Sequence, residues 1–113
     1  MKYPNVVHVK ENFDVYIGRE QSRSKPPFKR SKWHNPFKPG EDGTREEVLE
    51  KYRRYLLFNE HFGKTLRSGK PLPDGRELLK DIHELKGEVL GCWCRPERCH
   101  GDILIELLNN QEG

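Results

Sequence analysis

No stretch of this 113-residue chain approaches the roughly 20 consecutive apolar residues of a membrane-spanning helix. The opening MKYPNVVHVKENFDVYIG lacks both a long apolar core and a small-residue cleavage site, so it does not read as a secretory signal. Cysteine is scarce and odd in number, three in all, which argues against a secreted disulfide framework and leaves thiols or metal ligands. A cytoplasmic protein with no membrane partner is the simplest expectation. Hydrophobic residues are also few, 33% against 35% charged. They cluster with clear periodicity, however, so a folded chain with one modest core is expected rather than disorder. With no internal repeat and no visible hinge, residues 1–113 are expected to form a single domain.

What is present is unevenly placed. Residues 1–40 hold nine Lys/Arg against three Asp/Glu, net +6, whereas residues 41–113 hold twelve against fifteen, net −3. Most of the excess lies between Arg19 and Lys38, inside a long basic loop, residues 19–43, that also carries Pro26, Pro27, Pro36 and Pro39. A local basic loop on a near-neutral body fits an anionic partner, phosphate or nucleic acid. A solvated surface loop is the plainer alternative.

Val6–Val9 and Phe13–Ile17 read as strands, joined by a tight turn at Glu11-Asn12 or running as one bent strand. Thr44-Arg45-Glu46-Glu47 is a capping box, and Val48, Tyr52, Tyr55, Leu56 and Asn59 continue at helical spacing to an end near His61–Gly63. A second helix is expected over about Arg76–Leu85, a strand over Val89–Trp93, and a third helix from an Asp102 N-cap to about Asn109. The whole reads as a small, Rossmann-like α/β domain: a three- or four-stranded, mainly parallel sheet with about three helices.

All three cysteines fall within eight residues of the expected strand-loop-helix segment, at Cys92, Cys94 and Cys99, with His100 directly after. Loops at the carboxyl ends of strands are where open α/β sheets bind ligands. Thiolates and imidazole are zinc ligands, so Cys92, Cys94, Cys99 and His100 form an alternative metal set. The C-x-C spacing is too tight for common sites and adjacent Cys99 and His100 converge poorly, so no metal or other cofactor is expected. Cys92 and Arg98 match C-x5-R, a phosphate-cradling pattern, but Pro96 removes an amide donor and Trp93 is bulky. Cys92 then reads more simply as a buried strand residue with Trp93 on the opposite face. Cys99 and His100 remain the candidate catalytic residues: helix-start amides favour a thiolate or an anion, and imidazole can exchange protons near neutral pH.

The second constellation is Ser31-Lys32-Trp33-His34-Asn35-Pro36-Phe37, preceded by Gly18-Arg19. Arg19 or Lys32 suits a phosphate, Trp33 a stacked base and Asn35 a base edge. Against this stands the reading of Trp33 and Phe37 as anchors that pin the loop to the core.

These two blocks resemble the bacterial and phage family called domain of unknown function 4326. The resemblance is carried by Asp14-Val15-Tyr16-Ile17-Gly18-Arg19, by Ser31 to Phe37, by Asp42 to Glu47, and by Leu90 to Cys94 with Cys99-His100-Gly101. It covers about residues 5–109, in order, through a rare pairing of SKW-x-NPF with CWC-x4-CHG. His34 stands where the family has glycine, and the segment Ser22 to Arg30 is longer. The Cys-His ending also looks like that of a second uncharacterised family, which closes Cys-His-Arg where this chain has Gly101. The resemblance implies positions of interest and no reaction.

The expected function is binding of a nucleotide or nucleotide-derived, phosphorylated metabolite, with hydrolysis or transfer open. The cleft would lie between loop 18–40 and loop 94–101, lined by Arg19, Ser31, Lys32, Trp33, Asn35, Cys94, His100 and Gly101. Two alternatives stand beside it: a nucleic-acid-binding protein using the basic loop, and a non-catalytic sequestering or interaction protein, with zinc as its stabiliser in one version.

Overall fold

β-branched residues at Val6, Val7, Val15 and Val89 favour extended backbone. In the computed structural model, which describes residues 5–25, 27–66, 68–93 and 97–112, they fall in three strands. Strands β1 (Asn5–His8) and β2 (Val15–Tyr16) each pair in parallel with β3 (Val89–Cys92), so the sheet order is β1-β3-β2. Val6 lies opposite Leu90, His8 opposite Cys92, and Tyr16 opposite Gly91.

This topology corrects the expected tight turn or bent strand around Glu11-Asn12. β1 and β2 are not neighbours, and residues 9–14 must carry the chain from one side of β3 to the other. Parallel strands usually need a crossover of about a dozen residues or more. Gly91 permits the short one, because a Cβ there would stand 2.5 Å from the Phe13 ring. The crossover is fastened at both ends: Val9 donates to the Cys92 carbonyl (3.1 Å), and the Val89 amide donates to the Asp14 carboxylate (2.8 Å).

The chain packs as two compact units, residues 1–34 with 82–113, and residues 35–81. The first contains the sheet, a 3-10 helix (Ile82–Leu85) and α3 (His100–Glu112). Ile103, Leu104, Leu107 and Leu108 of α3 are buried, as are Ile82, Leu85, Ile17 and Leu90. Helix α3 starts two residues earlier than expected, and Asp102 is not its N-cap. Cys99 occupies that position, and the Asp102 carboxylate reaches back to accept from the Cys99 amide (3.0 Å), as an acid at the third helical position does in a capping box.

The second unit is helical. Helix α1 (Arg45–Phe58) begins with the expected box: Thr44 Oγ1 accepts from the Glu47 amide, and the Glu47 carboxylate accepts from the Thr44 amide. It stops sooner than His61 because Asn59 turns left-handed (φ 56°), where its side-chain oxygen accepts from the Gly75 amide (2.9 Å). That contact seats the start of α2 (Gly75–Lys80) against α1, and a Cβ at Gly75 would be 2.0 Å from the Tyr55 carbonyl oxygen. The expected helix Arg76–Leu85 is therefore two elements, broken at Asp81, with the 3-10 helix belonging to the sheet unit.

Candidate functional site

Strands β2 and β3 deliver two kinds of side chain to the carboxyl edge of the sheet. The first kind is aromatic. Tyr16 ends β2 and curls back over Gly18, where a Cβ would meet its hydroxyl oxygen at 2.5 Å. The hydroxyl donates to the Arg19 carbonyl and accepts from Trp93 Nε1 at 3.0 Å. Phe28 stacks on Tyr16 with ring centres 4.4 Å apart, held there because Gln21 and Phe28 exchange backbone hydrogen bonds of 2.9 and 3.0 Å. Trp93 stands edge-on to Phe28 (5.9 Å) and to His8 (5.7 Å) and remains 39% exposed.

The second kind is cationic or cation-capable. Arg19 follows Gly18, and Ser31 donates its amide to the Gly18 carbonyl (3.0 Å). The Ser31 hydroxyl accepts from the Trp33 amide (3.0 Å), and His34 Nδ1 donates to the Ser31 carbonyl (2.8 Å), making a tight turn over residues 31–34. His34 has its pKa lowered by burial, against the Ser31 bond, with Arg30 and Arg19 adding to the lowering. His100 opens α3 and donates Nε2–H to the Ile17 carbonyl at 2.6 Å. Burial above all, then Arg19 and His34 nearby, brings its pKa down to about 4. Both imidazoles are therefore neutral at pH 7, and both feel Arg19. This corner combines two guanidinium groups and two neutral imidazoles with the amides that begin a 13-residue helix. Such amides attract anions.

The residues singled out from sequence divide sharply. Arg19, Ser31 and His100 share this corner. Lys32 is partly exposed, pairs with Glu84 (2.8 Å) and lies 5.2 Å from the Trp33 ring centre. Trp33 is only 2% exposed, which favours its reading as a loop anchor. Asn35 is buried in the helical unit, where its side chain accepts from the Phe37 amide (2.9 Å) and donates to the Val48 carbonyl (3.3 Å), and Phe37 is buried beside it. Gly101 is a packing residue, since a Cβ there would come within 2.7 Å of a Val6 methyl. Cys92 and Cys99 are thiols, each 1% exposed, with sulfurs 3.0 Å apart. Cys94 lies outside the described residues, as do Arg95 and Pro96, so the expected loop 94–101 is described only from Glu97 onward. Among the described residues, no three of His, Cys, Asp and Glu are grouped to hold a metal ion. Nor, among them, is any helix long and apolar enough to cross a membrane.

Sequence reasoning passed over Trp93, Tyr16, Phe28 and Arg30. Trp93 was expected inside the strand Val89–Trp93; β3 ends instead at Cys92, one residue before it. Tyr16 was marked only by the glycine two positions on.

A three-stranded parallel sheet together with three α-helices among the described residues defines a small α/β protein. The chain belongs to the family described as Domain of unknown function (DUF4326), whose model matches residues 4–110. It is 35% identical over 105 residues to an uncharacterized protein, R718, of Acanthamoeba polyphaga mimivirus, covering 86% of this chain and 68% of the relative. It is 33% identical over 102 residues to an uncharacterized 12.4 kDa protein in the nrdA-td intergenic region of Enterobacteria phage T4, covering 88% of this chain and 71% of that one. No solved structure matches.

Proposed function

We propose that the carboxyl edge of the sheet unit binds a nucleotide or nucleotide-derived phosphorylated metabolite, with the base against Trp93 and the phosphate toward Arg19 and Arg30. The observation that carries this reading is the junction at Tyr16. One hydroxyl links the partly exposed Trp93 to the backbone of Arg19, joining an aromatic plate to a cationic corner. A nucleotide needs that combination: a π-face of adequate area and charged donors at a phosphate's distance. The stacking role passes here from buried Trp33 to Trp93. No reaction of the nucleotide is assigned, because Cys99 and His100, 1% and 7% exposed, are too enclosed to touch a ligand of that size.

A second reading has its own support. Arg23, Lys25, Lys29 and Arg30 are exposed along the Gln21–Phe28 turn, and exposed cations beside aromatic plates also suit single-stranded nucleic acid. Titration of tryptophan fluorescence with mononucleotides and with a short oligonucleotide, across a salt series, separates the two. The nucleotide reading expects quenching by mononucleotides, lost in Trp93→Ala and weakened in Arg30→Ala, with a shallow salt dependence. Binding only of oligonucleotides, weakening steeply with salt through counterion release, would replace it with the second reading. Quenching unchanged in Trp93→Ala would remove the plate from either.

A further inference from the structure

The Cys92–Cys99 pair takes no part in the proposed ligand site. Cys92 ends β3 and Cys99 stands at the N-cap position of α3. Their side chains are both buried and their sulfur atoms are 3.0 Å apart. A disulfide holds its sulfurs at about 2.05 Å, so joining these two asks for a displacement of only ~1 Å. Each end is backed by fixed structure. Cys92 is in register with His8, and its carbonyl accepts from Val9. The Cys99 amide is tied to Asp102, and its carbonyl accepts from the Asp102 amide (2.9 Å). Two thiols held in contact by a strand end and a helix start have little freedom left to lose on bonding.

We propose that Cys92 and Cys99 are a redox-modification site: they form a reversible intramolecular disulfide that ties the end of β3 to the start of α3. The oxidant is hydrogen peroxide, small enough to reach enclosed thiols that a bulky disulfide does not. One protein thiolate attacks a peroxide oxygen, breaking the O–O bond, forming a sulfenic acid and releasing hydroxide, which takes up the first thiol's proton as water. The second protein thiolate then attacks the sulfenic sulfur, forming the Cys92–Cys99 bond and expelling hydroxide, which takes up the second thiol's proton as water. The protein loses two S–H protons and two electrons; the peroxide gains both and leaves as two waters. The bond closes a short loop, which restricts the unfolded chain and raises stability modestly.

The test uses the full chain and its Cys94→Ser variant, equilibrated with one equivalent of hydrogen peroxide, alkylated, digested with trypsin and analysed by mass spectrometry. Trypsin cuts after Arg98 and not between Arg95 and Pro96, so Cys92 and Cys99 fall in different peptides while Cys92 and Cys94 share one. In Cys94→Ser the two peptides should be joined, separate on reduction with dithiothreitol, and accompany a melting temperature higher by roughly 5 °C or more. In the natural chain Cys94 should carry the alkyl group, which fragment-ion sequencing of the joined peptide reads even where Cys94→Ser fails to fold. Full alkylation of Cys99 after equilibration, or a bridge that uses Cys94, overturns the proposal.

Discussion

The two tryptophans of this chain sit in contrasting environments within one unit. Trp33 is 2% exposed, in a loop rich in cations; Trp93 is 39% exposed, next to a buried cysteine that ends a strand. Local sequence left Trp33 open between ligand plate and loop anchor, and put Trp93 on the face of its strand opposite buried Cys92 without giving it a role. Burial is decided by tertiary contacts. The turn over residues 31–34 is fastened to Gly18, whereas the strand ends before Trp93 and releases its ring at the rim. The lesson extends to the neighbours. Asn35, Gly101 and Trp33 belong to the packed interior, while Tyr16 and Phe28 are half-buried and Trp93 is exposed.

The largest effect should come from Trp33→Ala. Deleting a buried tryptophan typically costs about 3–5 kcal/mol. Urea denaturation of the variant should show that loss, or fail to show a folded protein at all. A cost below about 0.5 kcal/mol, typical of surface substitutions, would return Trp33 to the list of ligand plates.

His100 supplies the next largest effect, and its sign follows from linkage. Its folded pKa is about 4, below the ordinary value of 6.5, so between those values the unfolded chain binds a proton that the folded chain refuses. The contribution of a buried neutral His100 is thus fully present above pH 6.5 and is lost as the pH falls toward 4. The whole window is worth on the order of 3 kcal/mol. His34 is lowered in the same direction and adds to the slope. Urea midpoints measured from pH 7 down to about pH 4.5 should fall more steeply in the natural protein than in His100→Gln. Equal slopes would mean that His100 is hydrated and open to solvent, which would bring it back as a proton-transfer group.

Gly101→Ala should cost less, about 1–3 kcal/mol, because Val6 methyls at 2.7 and 2.9 Å must give way to the new Cβ. A thermal melt reads the loss. An unchanged melting temperature would mean that α3 has room to move off β1, and that Gly101 is glycine for a reason other than packing.

Much of the fold was legible because its signals are local. The Thr44–Glu47 capping box needs only four residues, and the strand, loop and helix from Val89 onward are written in apolar spacing. What was not legible is non-local. The passage of residues 9–14 across β3 depends on Gly91, more than seventy positions later, meeting Phe13. The break at Asp81 separates residues that read as one amphipathic helix but pack in different units. At the proposed site, Arg19 could be named from charge alone, and His100 from its place before a helix. The proposed stacking role of Trp93 could not, since it turns on which tryptophan the fold buries.

The smallest expected change in stability belongs to Trp93→Ala, and it tests the comparison most directly. The substitution removes the indole bond to Tyr16 and the edge contacts with Phe28 and His8. The Tyr16 hydroxyl keeps its bond to the Arg19 carbonyl, Phe28 stays stacked on Tyr16, and much of the lost ring already faced water. A cost of about 1 kcal/mol follows from one hydrogen bond and partly exposed aromatic contacts. Fluorescence then assigns the two environments. With Trp93 gone, the remaining emission comes from Trp33 alone, and it should move to shorter wavelength and resist quenching by iodide. In Trp33→Phe the residual emission should instead be long-wavelength and readily quenched. If the residual Trp33 emission were quenched as easily as that of Trp93, both rings would be accessible. The division between a buried loop anchor and an exposed plate would then be lost.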